Sequence, residues 1–407
     1  MKNVSQPSAP TAFAKYFGLR DPGRSSFELD PRRDSELLVD IDGVWEKLNR
    51  LLESDVRAKG APKAVIEGDF GTGKSHILRK VEHHCRLPAS GYVPIYVELS
   101  GFGRRSTFFD VHKVLMRHLL EVTRAALKRF ANGPDARAKL MKILEDCGVR
   151  LPSASVAMLE LATPTIGDVE PDKAVAARSW LQGVRLSAAQ VKIARDLQPS
   201  LFETSGPSEL VGLYRALGEV EQQTSGRKPL LLIDETEAFS RVVDPDAQAS
   251  IGHGIRSLFD PTNHTVGVFL GLNMPNVRRD QHPMLRPDVA SRTQGNTYKL
   301  KHLNTPTRVR AFITWLWPAL ARDNAVPPFR LAKDAMDYLS EHLTTVRDKL
   351  LGSRFDGENI SYARPDPTPR DLLAVLTTLG GATIEEKAEI VDLARLNRWL
   401  ALGEATQ

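Results

Sequence analysis

One eight-residue string constrains the chain more than anything else in it. Gly68-Asp69-Phe70-Gly71-Thr72-Gly73-Lys74-Ser75 is a complete G-x-x-x-x-G-K-S phosphate-binding loop. Its surroundings have the order such a loop needs. Ala64-Val65-Ile66-Glu67 is a short apolar run suited to a buried strand, and His76-Ile77-Leu78-Arg79-Lys80-Val81 opens a helical pattern with apolar residues at 77, 78 and 81. Glycines let the backbone curl so that successive N–H groups aim at phosphate oxygens, and the helix start adds partial positive charge. The stretch Gly68 to His76 is therefore expected to cradle a nucleoside triphosphate. Lys74 is expected to reach its β- and γ-phosphates, and the Ser75 hydroxyl to hold Mg²⁺.

Hydrolysis needs acidic groups as well. Leu230-Leu231-Leu232-Ile233-Asp234-Glu235 supplies two at the end of an apolar run that reads as a central parallel strand. Asp234 is expected to help hold Mg²⁺ and Glu235 to polarise the attacking water, while Glu237 can share or take over that base role. A further strand pattern, Val266–Leu272, ends in Asn273, whose amide can hydrogen-bond both a γ-phosphate and the lytic water.

A length of 407 residues allows two or three domains. With 42% apolar and 26% charged residues, the composition is that of an ordinary globular protein. No run is long enough to cross a bilayer, and no apolar signal segment follows Met1, so the cytoplasm is expected and no membrane partner. Cys85 and Cys147 are too few for a disulfide framework, and His83-His84-Cys85 reads as a solvated helix end rather than a metal cluster.

The formal charge of +5 is unevenly spread. Between residues 100 and 142, ten Lys/Arg, among them Arg117, Arg124, Lys139 and Lys142, face only Asp110, Glu121 and Asp135. A second excess at 271–301 holds Arg278, Arg279, Arg286, Arg292, Lys299 and Lys301 against Asp280 and Asp288. Such patches suit a polyanion, or else form solvated helix faces.

The chain is expected to be α/β, with a parallel sheet, a long α-helical insertion and a C-terminal α-helical lid. Residues 1–35 read as an arm, within which Phe13–Leu19 is apolar enough to dock. Residues 36–303 read as the core, beginning with a helix over 37–53. Val93–Leu99 is a second strand. About 160 positions separate Lys74 from Asp234, far more than one helix and one strand require, so an insertion at about 105–207 is inferred. Its helices are punctuated by Pro134, Pro152, Pro164, Pro171, Pro199 and Pro207. The lid, 304–401, is expected to hold four helices over 308–321, 331–351, 369–380 and 384–401, with 402–407 a tail. Thr368 and Pro369 read as cap and first residue of the third. Trp315 and Trp317 are expected to pack in it.

Taken together, these motifs resemble the origin-initiator-like branch of the AAA+ P-loop ATPases. The resemblance covers about 60–303 and implies several roles. Asn273 matches sensor 1. Arg292, in Val289-Ala290-Ser291-Arg292, matches an arginine finger offered to a neighbouring subunit, with Arg286 as alternative. Arg370 matches the sensor 2 arginine that leans over the nucleotide. It also implies ATP rather than GTP, a homo-oligomer, and double-stranded DNA as partner. The loop continuing into His76, with Arg178-Ser179-Trp180-Leu181-Gln182-Gly183 in the insertion, looks like the ATP-binding proteins of BREX-type anti-phage defence loci, which act with other proteins of their system. The ATPase regulators of Tn7-type transposition are a more distant likeness. The chain is expected to depart from initiators in lacking a winged helix after the lid, since the tail 402–407 is all that is read beyond it.

The leading expectation is an oligomeric ATPase that switches or recruits partners on DNA in anti-phage defence. Two alternatives stand beside it: a transposition-type DNA-targeting regulator, and a STAND-like signalling NTPase triggered by a protein ligand. A structural subunit with a dead site conflicts with the intact Lys74, Ser75, Asp234 and Glu235.

Overall fold

The computed structural model describes residues 11–58, 60–163, 171–197, 201, 205–273, 287–322, 330–351 and 366–405. In chain order these form α1 (Ala12–Tyr16), α2 (Val44–Ala58), β1 (Lys63–Glu67), α3 (Lys74–Cys85), β2 (Tyr92–Glu98), α4 (Phe108–Ala131), α5 (Ala136–Asp146), α6 (Pro152–Leu161), α7 (Asp172–Leu181) and α8 (Ala188–Ile193). There follow α9 (Pro207–Ser225), β3 (Lys228–Asp234), α10 (Pro245–Leu258), β4 (Gly267–Leu272), α11 (Pro287–Thr293) and β5 (Thr297–Lys299). The last elements are α12 (Pro306–Leu320), β6 (Arg330–Leu331), α13 (Lys333–Glu341), α14 (Leu343–Leu351), α15 (Pro369–Glu386), β7 (Ile390–Val391) and α16 (Leu393–Ala405). Two compact units result, one of Trp45–Glu67 and Leu78–Tyr298, the other of Met1–Val44, Gly68–Ile77 and Lys299–Gln407.

The first unit is built on a five-stranded sheet in the order β2-β3-β4-β1-β5. β1, β2, β3 and β4 pair in parallel, so their carboxyl ends share one edge. Glu67 is in register with Leu272, and Glu98 with Asp234. All of β3 and β4 is buried, which is why Leu230–Ile233 is continuously apolar instead of alternating. The helices α4–α8 fill the long interval between β2 and α9. Pro152 starts α6, Pro171 caps α7 and Pro207 starts α9, while Pro164 and Pro199 lie outside the described residues.

One buried polar link fixes this helical insertion. His112 of α4 accepts from the Tyr214 hydroxyl of α9 at 2.9 Å and donates from Nε2 to the Leu181 carbonyl at 2.8 Å. The Arg178–Gly183 string has a packing explanation. Trp180 and Leu181 are fully buried, and Gly183, at φ 75°, ends α7 with bonds from its own N–H to Trp180 and from the Val184 N–H to Ser179.

In the second unit, residues 11–44 are part of the core. Phe13, Phe17, Leu19 and Phe27 pack with Val309, Phe312, Leu316, Leu376 and Leu379, and the Phe17 and Phe27 rings lie 5.0 Å apart. Trp315 and Trp317 pack against the same cluster, as expected of large apolar rings in this helix.

Two helix boundaries differ from the periodicity. The helix expected over 37–53 begins only at Val44: Gly43 takes the left-handed conformation (φ 62°) and the Asp40 carboxylate accepts from the Val44 N–H. Leu37, Val39 and Ile41 are apolar because they pack against the second unit's core. The helix expected over 384–401 is also broken. Lys387 turns left-handed after α15, Ile390–Val391 pairs with Arg330–Leu331, and α16 starts at Leu393. His342 likewise divides the stretch 331–351 into α13 and α14.

Candidate nucleotide site

The phosphate loop leaves β1 at Glu67 and enters α3 at Lys74. Gly71 and Gly73 have φ of 81° and 103°, a region that side chains rarely adopt. A Cβ on Gly71 would also sit 2.8 Å from the Thr368 hydroxyl. The Thr72 hydroxyl donates to the Asp69 carbonyl at 2.7 Å and tightens the turn. Lys74 is 8% exposed, and its ammonium donates to the carbonyls of Gly68 and Asp69, each at 2.8 Å. Its charge is thus held within the loop's own curl. His76 is buried, and its Nε2 donates to the Asp34 carbonyl at 2.6 Å. That bond fixes the start of α3 to the arm, so His76 serves the loop through its anchorage.

The loop belongs to the second unit, and that same unit brings further groups to it. Thr368 and Asp371 form a reciprocal cap at the start of α15, with Thr368 N–H to Asp371 at 2.8 Å and Asp371 N–H to the Thr368 hydroxyl at 3.3 Å. This cap sets Arg370 beside the loop. Its N–H donates to the Gly71 carbonyl at 3.4 Å, and its guanidinium lies 4.8 Å from the Phe70 ring centroid. His302 lies 2.8 Å from the Asp69 carboxylate, with Asp366 at 3.9 Å on its other nitrogen. The sequence carries no sign of His302, because its partner Asp69 is 233 positions away and its neighbours are ordinary.

In the first unit, Asp234 closes β3 and is 3% exposed. Its Oδ1 accepts from the Glu235 N–H at 2.9 Å and its Oδ2 from the Tyr96 hydroxyl at 2.5 Å. Glu235 adopts φ 57°, one of three non-glycine residues among those described with positive φ. Such a conformation costs on the order of 1 kcal/mol. It turns the Glu235 side chain outward from the buried strand end, and Glu235 is exposed while Glu237 is half-buried. Thr236 ties this corner to β4 by donating to the Gly271 carbonyl at 2.6 Å.

β4 lies between β1 and β3, so Asn273, just beyond it, stands at the middle of the carboxyl edge. It is 5% exposed, and its Oδ1 has no hydrogen-bond partner among the described residues. A buried amide oxygen left so is costly unless a ligand or water completes it. Ser hydroxyl and Asp carboxylate oxygens, the donors at Ser75 and Asp234, are the hard ligands that Mg²⁺ takes.

Arg292 is elsewhere. It lies 3.8 Å from Asp260, whose carbonyl accepts from Lys63, the first residue of β1. That is the amino edge of the sheet, opposite to the edge where β3 ends. The Thr262 N–H is the main cause that holds the Asp260 carboxyl below its usual range, with Arg292 and Lys63 adding to it. Arg286, Arg278 and Arg279 lie outside the described residues. Of the first basic patch, Arg104, Arg105, Lys113, Arg117, Arg129, Arg137, Lys139 and Lys142 are exposed. Lys139, Lys142, Arg215 and His264 line a cleft that also holds Asp146 and Glu219.

Both cysteines are unpaired and buried. Among the described residues no cluster of three or more His, Cys, Asp or Glu is arranged to hold a metal, and no helix is long and apolar enough to cross a membrane.

No family model matches the chain, and no curated protein matches it. Matching solved structures include Cdc6p of Pyrobaculum aerophilum, at 11% identity and a TM-score of 0.40 over 87% of this chain. They also include the ORC2 protein of Aeropyrum pernix in ADPNP–ADP complexes, at 10% identity and a TM-score of 0.43 over 91% of this chain. The chain spans 64% of the first and 69% of the second. The described residues themselves define an α/β protein with a parallel sheet, a helical insertion, a C-terminal helical unit and a phosphate-loop sequence directly after β1.

Proposed function

We propose that the chain is an AAA+ type ATPase that assembles with copies of itself on double-stranded DNA and uses ATP binding and hydrolysis to recruit or control partner proteins. The observation that carries this reading is the placement of the motifs on one sheet. The phosphate loop follows β1, and Asp234-Glu235 ends β3 at the same strand edge with Asn273 on the intervening strand.

In this reading the backbone of Gly68–Ser75 cradles the phosphates and Lys74 leaves its carbonyl contacts to meet them. Ser75 and Asp234 hold Mg²⁺, which when bound neutralises charge on the phosphates. Glu235 orients and polarises water, with Glu237 next in line, and Asn273 satisfies its open amide on water and phosphate. Arg370 swings from Phe70 towards the nucleotide. Arg292, set at the far edge of the sheet, serves a neighbouring protomer rather than its own site, so the active form is an assembly. The exposed basic residues of α4 and α5 and the Lys139–Arg215 cleft are the surface offered to DNA phosphates. The anti-phage setting, with its partner proteins, rests on the resemblance of the motifs.

A salt titration of duplex DNA binding tests the DNA half. Affinity is expected to fall steeply and log-linearly with salt, as counterion release requires. No binding at low salt, with turnover stimulated by a protein ligand instead, would replace DNA with a protein trigger.

A further inference from the structure

Tyr96 is absent from every motif in the sequence, yet it makes the one side-chain hydrogen bond to Asp234 seen among the described residues. β2 and β3 pair with Glu98 opposite Asp234. Tyr96, two positions earlier, therefore shares the face of β2 that carries Glu98. From there its hydroxyl donates to Asp234 Oδ2 at 2.5 Å, while the Glu235 N–H occupies Oδ1 at 2.9 Å. With one donor on each oxygen, the carboxylate cannot rotate without losing both.

The tyrosine is itself held. The Arg79 guanidinium lies over its ring, with Cζ 3.2 Å from the centroid. Arg79 is 16% exposed and bonds Glu82 at 2.7 Å and Glu98 at 3.2 Å. Arg79 belongs to α3, the helix that the phosphate loop begins.

We infer that Tyr96 is a positioning residue for the metal-binding carboxylate: its hydroxyl, seated by Arg79, fixes the orientation in which Asp234 meets magnesium-bound nucleotide. This rests on the nucleotide reading above. A polar partner that orients a metal-ligating carboxylate commonly changes metal affinity by roughly 10- to 100-fold.

The test is the affinity of a fluorescent ATP analogue measured in Mg²⁺ and again in EDTA, for wild type, Tyr96→Phe, Asp234→Asn and the double variant. Phenylalanine keeps the ring and the Arg79 seat and removes only the hydroxyl. The Mg²⁺-dependent gain in affinity is expected to shrink by roughly tenfold in Tyr96→Phe, with affinity in EDTA unchanged. In the Asp234→Asn background the same substitution should change nothing further. If Tyr96→Phe melts too low to assay, Arg79→Gln, which unseats the ring, should reduce the Mg²⁺ gain in the same direction. A wild-type Mg²⁺ gain in Tyr96→Phe overturns the inference, and so does an equal loss with and without the Asp234 carboxylate. Wild type that binds no nucleotide in either condition ends the nucleotide reading itself, and this inference with it.

Discussion

Arg292 pairs with Asp260 at 3.8 Å, and Asp260 in turn caps Lys63 at the start of β1. The length of that strand, about 13 Å at the usual rise per residue, separates this pair from the strand edge that Asp234 occupies. In the proposed assembly an arginine so placed serves another molecule's site, not its own. Arg292→Ala is expected to bind ATP normally and lose turnover by roughly 10³-fold. Mixing it with Lys74→Ala should restore turnover, because each inactive protomer supplies what the other lacks. A mixture as inactive as its parents would contradict the shared site.

Glu235 and Glu237 are separated by exposure. Glu235 is exposed beyond a strained strand end, and Glu237 is half-buried. Glu235→Gln is expected to keep ATP affinity and lose turnover by roughly 10²-fold or more, with Glu237→Gln milder. Single-turnover hydrolysis decides it. A larger loss at Glu237 would transfer the base role there.

Much of this arrangement is legible in the sequence, and the reason differs from place to place. β3 is visible because a strand buried on both faces must be apolar at every position, and the phosphate loop because Gly71 and Gly73 need positive φ. The cap at Thr368 is local chemistry, so sequence shows it directly. Tyr96 and His302 are not legible, since their partners lie 138 and 233 positions away in sequence and no short-range pattern encodes them. The start of α2 is not legible either, because Leu37, Val39 and Ile41 are apolar for tertiary packing, which periodicity cannot distinguish from a helix face.

The arm's aromatic residues are core residues, and their loss should show in stability. Phe17 is fully buried against Phe13, Phe27 and Trp317. Phe17→Ala is expected to destabilise the protein by about 3–5 kcal/mol, read from urea denaturation. A loss below about 1 kcal/mol would mean that the arm is not part of the folded core.

His112 sets a pH dependence. Full burial is the main cause that lowers its pKa to about 4, against an ordinary value near 6.5. The unfolded chain therefore takes up a proton that the folded chain refuses as pH falls from about 6.5 to about 4. Stability is complete above that window and declines through it, by up to about 1.4 kcal/mol per pH unit from this residue. His112→Gln should be less stable at pH 7.5 and flatter between pH 6.5 and 5, in urea midpoints taken at each pH. An unchanged slope would remove His112 from the account.

The most direct measurement is ATP binding and turnover for wild type, Lys74→Ala and Asp234→Ala side by side, with Mg²⁺ present. Wild type is expected to bind and hydrolyse, Lys74→Ala to lose binding, and Asp234→Ala to lose the Mg²⁺-dependent part of affinity together with turnover. Wild type that fails to bind ATP at millimolar concentration, or Lys74→Ala that binds as tightly as wild type, would contradict the central claim that this loop and this acidic strand end act on one triphosphate.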